Sequence, residues 1–184
     1  TMTVKQRALG RTGLNVSEIG LGCWQLGGDW GPITEQQASE VLRAADDAGV
    51  SFWDTADVYG GGQSEQFIGN FITAKADPKR VIATKAGRSA QLYPDKFTRD
   101  ALRTSAEQSR DRLQVNTLDL LQLHCIPFDE MKRGLWRQIA VEDETWNRSG
   151  LKEWDFDELP KQIEISRQPI SVFAYPALID RGEH

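Results

Sequence analysis

Cysteine is scarce in this chain of 184 residues: there are two, Cys23 and Cys125, and no Cys-x-x-Cys spacing. A disulfide framework is therefore excluded, and both are expected to be reduced, buried small hydrophobes, although each stands at a strand end within reach of a ligand. Histidine is scarcer than a closed metal site needs, with only His124 and a terminal His184, so a zinc centre built on His124, Cys23, Cys125 and Asp57 lacks its ligand set. No run of about 18 apolar residues is present and the N-terminus lacks the basic-then-apolar layout of a secretory signal, which predicts a soluble, cytoplasmic protein with no membrane partner. A net charge of −5 and the lack of any basic cluster interleaved with aromatics argue against nucleic-acid binding. The glycines of "EIGLGCWQLGG" are followed by neither G-x-G-x-x-G nor Gly-Lys-Ser/Thr, so they do not form a phosphate loop.

What is present is a repeat of strand and helix patterns in one domain, residues 1–184. Residues 4–17 read as a β-hairpin turning near Gly13, and a strand follows through Ile19 and Leu21. Thr34 can cap a helix whose buried face is Ala38, Val41, Leu42 and Ala45, with Gly49 as its stop. "SFWD" is the next strand, and Ser64 can cap a helix burying Phe67, Ile68, Phe71 and Ile72. "RVIATKAG" is apolar from Val81 to Ala83, as a strand covered on both faces should be. Thr98 can cap a helix to residue 114 with Ala101, Leu102, Ser105, Ser109 and Leu113 on one face, and "TLDLLQLH" is the fourth strand. Strand then helix at this spacing predicts a parallel sheet. Residues 129–184 are an irregular tail, with a short helix within "MKRGLWRQIAVEDETW", three tryptophans (Trp136, Trp146, Trp154) and one further strand at 170–175.

Three successive strand candidates each deliver a polar residue at the C-terminal end: Asp54, Lys85 and His124. Tyr59 follows Asp54 in the loop that the Gly60–Gly62 triplet ends. In an α/β barrel those strand ends converge on the face where chemistry happens. A phenol is a poor proton donor near neutrality, but an adjacent ammonium favours its phenolate. Asp54 could hold Lys85 and the imidazole of His124 could orient a carbonyl oxygen, a set suited to protonating a C=O as hydride arrives at carbon from an external source. Each residue alone has an ordinary structural reading as a cap, a loop anchor, a solvated strand end or a core imidazole; their joint placement carries the argument. A paired-carboxylate hydrolase on Asp54 and Asp57 is the competing chemistry.

The motifs "RALGRTGLNVSEIGLGCWQLGG", "FWDTADVYGGGQSEQFIG", "VIATKAG" and "LDLLQLH" resemble, in order and spacing, the aldo-keto reductase family. The resemblance covers residues 1–128 and implies an α/β fold of the (β/α)8 TIM-barrel type, here an incomplete half barrel with an N-terminal hairpin and about four regular βα units. By likeness Tyr59 is the general acid, Lys85 its pKa-lowering partner, Asp54 the ion-pair partner of Lys85, and His124 the substrate-orienting residue. The implied function is NADP(H)-dependent reduction of an aldehyde or ketone to an alcohol. NADP(H) is the implied cofactor, with Gly22, Cys23, Trp24 and Asp54 near its nicotinamide end or the substrate, and a small carbonyl compound is the implied substrate.

The tail departs from the family pattern. A full barrel takes about 250 residues. The family's "GKIR" and the strand ending in "GVSN" do not follow the fourth strand, and the later cofactor-clamping segments are missing. "ISVFAYPALIDRG" resembles a later family strand and would place Tyr175 against the nicotinamide. An unclosed parallel sheet leaves two open edges, which a second copy of the chain or the tryptophan-rich tail would cover. The alternative function is accordingly a catalytically inactive truncated barrel acting as a binding or assembly module.

Overall fold

The computed structural model describes residues 4–9, 12–77 and 79–133. The predicted strand at 170–175, Tyr175, the three tail tryptophans and His184 lie outside the described residues.

The chain opens with an antiparallel hairpin, β1 (Gln6–Ala8) and β2 (Asn15–Ser17), in which Gln6 faces Ser17 and Ala8 faces Asn15. Its turn runs through Gly13, whose φ of 77° suits a residue without a Cβ. Four parallel strands follow in unbroken chain order: β3 (Gly20–Gly22), β4 (Phe52–Asp54), β5 (Val81–Ala86) and β6 (Leu120–Leu123). They are joined by α1 (Glu35–Asp47), α2 (Gln63–Ala74) and α3 (Arg99–Leu113), and α4 (Phe128–Arg133) follows β6. Each strand pairs with its predecessor, without the reversal of order that marks a doubly wound sheet. This is a partial α/β fold: the alternating pattern predicts its parallel sheet, and the family resemblance implies its barrel type.

Period-two alternation gives the sheet two faces. Trp53 of β4 and Ile82 of β5 turn toward the helices and join Leu42, Ile68, Phe71 and Leu113 in the main core. On the other face Phe52, Ala83 and Leu120 pack together, with Leu9 of the hairpin against them. All six residues of β5 are buried, which explains its uninterrupted apolar start. Trp53 is fully buried, its ring 5.6 Å from that of Phe71 and capped by the Arg80 guanidinium at 4.6 Å. Burying one such large apolar side chain stabilises the fold by roughly 1.5–3 kcal/mol.

Helix ends explain most of the boundaries. Thr34 and Gln37 form a full capping box at α1, and the Thr98 hydroxyl accepts from the Ala101 amide at α3, each cap contributing about 1 kcal/mol. The expected Ser64 cap is not one. A tight turn at Tyr59–Gly62, with φ of 61°, 62° and 99° at its three glycines, feeds directly into α2, so that helix starts at Gln63 with Gly62 as its cap. Ser64 is instead buried inside the first turn, where its hydroxyl donates to the Cys23 carbonyl at 2.8 Å. On α1, Ala38 and Leu42 are buried but Val41 is exposed, because one residue back from Leu42 is a rotation of roughly 100° away from the core.

Candidate active site

The four residues singled out at strand ends come together at one end of the inner face. Asp54 ends β4 opposite Ala83, and Lys85 lies two residues further along β5 on the same face. His124 follows β6, its amide donating to the Ala86 carbonyl at 2.8 Å. Tyr59 opens the turn after β4 and leans back over Lys85.

Lysine has three ammonium donors, and here each has an acceptor. Lys85 Nζ donates to Asp54 Oδ2 at 2.6 Å, to the Thr55 carbonyl at 2.7 Å and to the Tyr59 hydroxyl oxygen at 3.1 Å. The lysine side chain is nearly buried, whereas Asp54 remains a third exposed. Since the ammonium donates to the phenol oxygen, the phenol's own hydrogen is left for another acceptor. The Tyr59 ring meets the His124 ring edge-on, with centroids 6.2 Å apart at 89°. Burial, reinforced by the positive charges of Lys85 and Arg88, pushes the imidazole down to about 4, so His124 is neutral near pH 7. Its Nδ1 is buried and has no hydrogen-bond partner among the described residues.

Trp24 forms the other wall. Its ring stacks on Tyr59 at 6.0 Å and 24°, its indole N–H donates to Asp29 at 2.5 Å, and the exposed Trp30 ring lies 4.8 Å away. Gly22 pairs with Asp54, and nothing lies within 4 Å of where a Cβ on it would stand. The bare backbone of Gly22, Asp54 and the half-exposed ring of Trp24 lie on one side of the Lys85–Tyr59 pair.

The Cys23 side chain belongs to the core behind these residues. It is fully buried, its thiol directed at the Leu21 carbonyl, and burial foremost pushes it up to about 12. Cys125 corrects the expectation of two buried thiols: it is exposed, on a residue with φ of 55°. The two carboxylates of the competing hydrolase reading face different partners, Asp54 toward Lys85 and Asp57 toward Ser105 of α3 at 3.0 Å. Among the described residues no three or more His, Cys, Asp or Glu side chains are grouped to hold a metal ion, and no helix is long and apolar enough to cross a membrane.

Three contributors escaped the sequence reading: the Thr55 carbonyl as the third acceptor for Lys85, Trp30 beside Trp24, and a polar seam under the site. In that seam the fully buried Glu65 accepts from Thr84 of β5 and pairs with Arg112 Nε at 2.6 Å. Ser105, Ser109 and Arg112 recur at helical spacing inside an otherwise apolar face of α3, and that intrusion is the signal that could have revealed it.

Known proteins resemble the chain over most of its length. Residues 18–154 match the model of the Aldo/keto reductase family. L-galactose dehydrogenase of Arabidopsis thaliana is 32% identical over 180 residues, covering 97% of this chain and 52% of that protein. An aldo-keto reductase of Bacillus subtilis is 38% identical over 128 residues, 65% of this chain and 38% of that one. Among solved structures, the holo form of an aldo-keto reductase from Bacillus halodurans superposes with a TM-score of 0.62 at 29% identity, covering 76% of this chain and 47% of that one. The chain thus spans about half, or less, of the length of these relatives.

Proposed function

We propose a carbonyl reductase function for this chain, which belongs to the aldo/keto reductase family. The reaction is the NADP(H)-dependent reduction of an aldehyde or ketone to an alcohol. One observation carries the reading: a buried ammonium, Lys85, bonds at once to a carboxylate, a backbone carbonyl and the Tyr59 phenol oxygen.

Bound NADPH would supply the hydride, and Gly22, Trp24 and Asp54 are the described residues that would hold its nicotinamide end; Tyr175 belongs to the same proposed set. Cys23 shapes the turn beneath them through its backbone, which bonds to Asp54 and Ser64. Tyr59 is the general acid, giving its proton to the carbonyl oxygen as the carbon is reduced. Lys85 stabilises the negative charge left on the phenol oxygen, and Asp54 with the Thr55 carbonyl keeps the ammonium in place. Neutral His124 donates a hydrogen bond to the substrate oxygen and orients it, whereas a charged imidazolium would compete with Tyr59 as the proton donor.

The substrate is a small carbonyl compound. Relatives named L-galactose dehydrogenase, D-threo-aldose 1-dehydrogenase and pyridoxal 4-dehydrogenase make hydroxylated aldehydes the first to assay. A second reading, an inactive partial barrel that binds or assembles, draws on the length of the chain relative to the proteins it matches and on the outer sides of β3 and β6, which pair with no described strand. A second copy covering those edges would reconcile the two. NADPH titrated into the purified protein and followed by tryptophan fluorescence separates them. Saturable quenching followed by alcohol formation from an aldehyde supports the reductase, and a folded protein that neither binds nor reduces supports the module.

A further inference from the structure

Asp57 is a buried carboxylate that the proposed chemistry does not use. It lies between the end of β4 and Tyr59, with a relative exposure of 8%. Ser105 Oγ donates to its Oδ2 at 3.0 Å, while Oδ1 has no partner among the described residues. Burial, to which the charge of Glu65 adds, pushes the carboxyl up to about 6. Keeping a carboxyl in such a place is costly, and an apolar residue of similar size would avoid the penalty.

Its backbone explains what the residue can do. The Asp57 amide donates to the Lys85 carbonyl at 3.1 Å, and two residues later the Tyr59 hydroxyl accepts from Lys85 Nζ at the same distance. The segment from 57 to 59 therefore touches Lys85 at both ends, once through main chain and once through side chain. The far end of the turn is docked separately, where Gly60 packs on the backbone of Gly27 and Trp24 stacks on Tyr59. At the near end the Ser105 hydroxyl, on a different element, is the side-chain anchor that holds Asp57 from α3.

Behind it, Arg112 packs against Gly62 and pairs with Glu65, which also holds Thr84, the residue next to Lys85. The face of α3 that carries Ser105, Ser109 and Arg112 thus grips both ends of the Tyr59 turn and the strand beneath it.

We infer that Asp57 and Ser105 are positioning residues: their hydrogen bond fixes the tilt of the Tyr59 turn and so sets the phenol oxygen against the Lys85 ammonium. This rests on the reductase reading for its consequence in turnover, but not for its geometry. Ser105→Ala removes the donor with little change of volume, and Ser105→Thr keeps the hydroxyl.

The test uses the full chain labelled with fluorotyrosine, whose three tyrosine signals in fluorine NMR are assigned with Tyr59→Phe. The expected result is that Ser105→Ala shifts or broadens the Tyr59 resonance and Ser105→Thr restores it. Leu42→Ala, which opens the core on α1, should lower stability without moving that resonance. In turnover, Ser105→Ala should reduce kcat on the order of tenfold to a hundredfold with KM unchanged, the scale of a small misplacement of a reacting group. An unmoved Tyr59 resonance in Ser105→Ala overturns the inference whatever the activity. A moved resonance in a protein whose wild type reduces no carbonyl supports the positioning and overturns the reductase reading instead.

Discussion

Lys85 Nζ lies 3.1 Å from the Tyr59 hydroxyl, a side-chain link between the third strand of the sheet and the turn after the second. Replacing Lys85 by Met removes the donor to the phenol oxygen and leaves Asp54 without its ion pair. Turnover is expected to fall by roughly 10²–10⁴-fold, the usual contribution of a tuned acid–base group, with cofactor affinity less affected. Steady-state rates and the NADPH titration on the same protein check the split.

His124 and Asp57 make opposite contributions to stability against pH. His124 titrates at about 4 in the folded chain and at 6.5 unfolded, so its stabilisation is present above 6.5 and is lost as pH falls toward 4. Asp57 titrates at about 6 folded against 3.8 unfolded, so its contribution is full below 3.8 and is lost as pH rises through 6. In wild type the two slopes offset each other over most of this window. Asp57→Asn should expose a stability that rises with pH from 4 to 6.5, and His124→Asn one that falls with pH from 3.8 to 6. Urea midpoints at four pH values would show the opposed slopes, and parallel curves for the two variants would contradict the assignment.

Gly60 has φ of 61°, and a Cβ there would run into the backbone of Gly27. That contact docks the turn carrying Tyr59 on the turn carrying Trp24. Gly60→Ala is expected to lower stability by roughly 1–3 kcal/mol, and to reduce turnover beyond what the melting temperature explains. Thermal melts alongside kcat test it, with Gly61→Ala, where the added carbon meets nothing within 4 Å, as the comparison that keeps the strained φ but lacks the collision.

Arg112 neutralises Glu65, whose side chain is fully buried. Removing the arginine as Arg112→Met strands a carboxylate in the core and should cost about 3–5 kcal/mol. Adding Glu65→Gln to that variant should recover part of the loss. A double variant no more stable than the single would contradict the view that the uncompensated charge, and not lost packing, is the cause.

The sheet was legible in the sequence because burial imposes its own spelling. Val81–Ala83 reads as a covered strand since both faces are covered, and Asp54, Lys85 and His124 read as a set since parallel strands bring their ends together. The caps at Thr34 and Thr98 were legible for a local reason, a hydroxyl three residues before the amide it serves. Other features depend on tertiary contacts that no local pattern encodes. Ser64 has the chemistry of a cap, but the Gly60–Gly62 turn had already started the helix and left its hydroxyl for the Cys23 carbonyl. Cys23 stands at a strand end beside the site, yet its side chain takes the core side. Asp57 offered a metal or hydrolase role by residue type, and only the approach of α3 shows that Ser105 holds it.

The most direct test of the reductase account is the rate of carbonyl reduction by Tyr59→Phe relative to wild type at saturating NADPH. That variant keeps the ring that stacks on Trp24 and loses only the hydroxyl beside Lys85. The account predicts a kcat lower by a hundredfold or more, on the order of what a general acid contributes, with the NADPH titration unchanged. Turnover by Tyr59→Phe equal to that of wild type would contradict it.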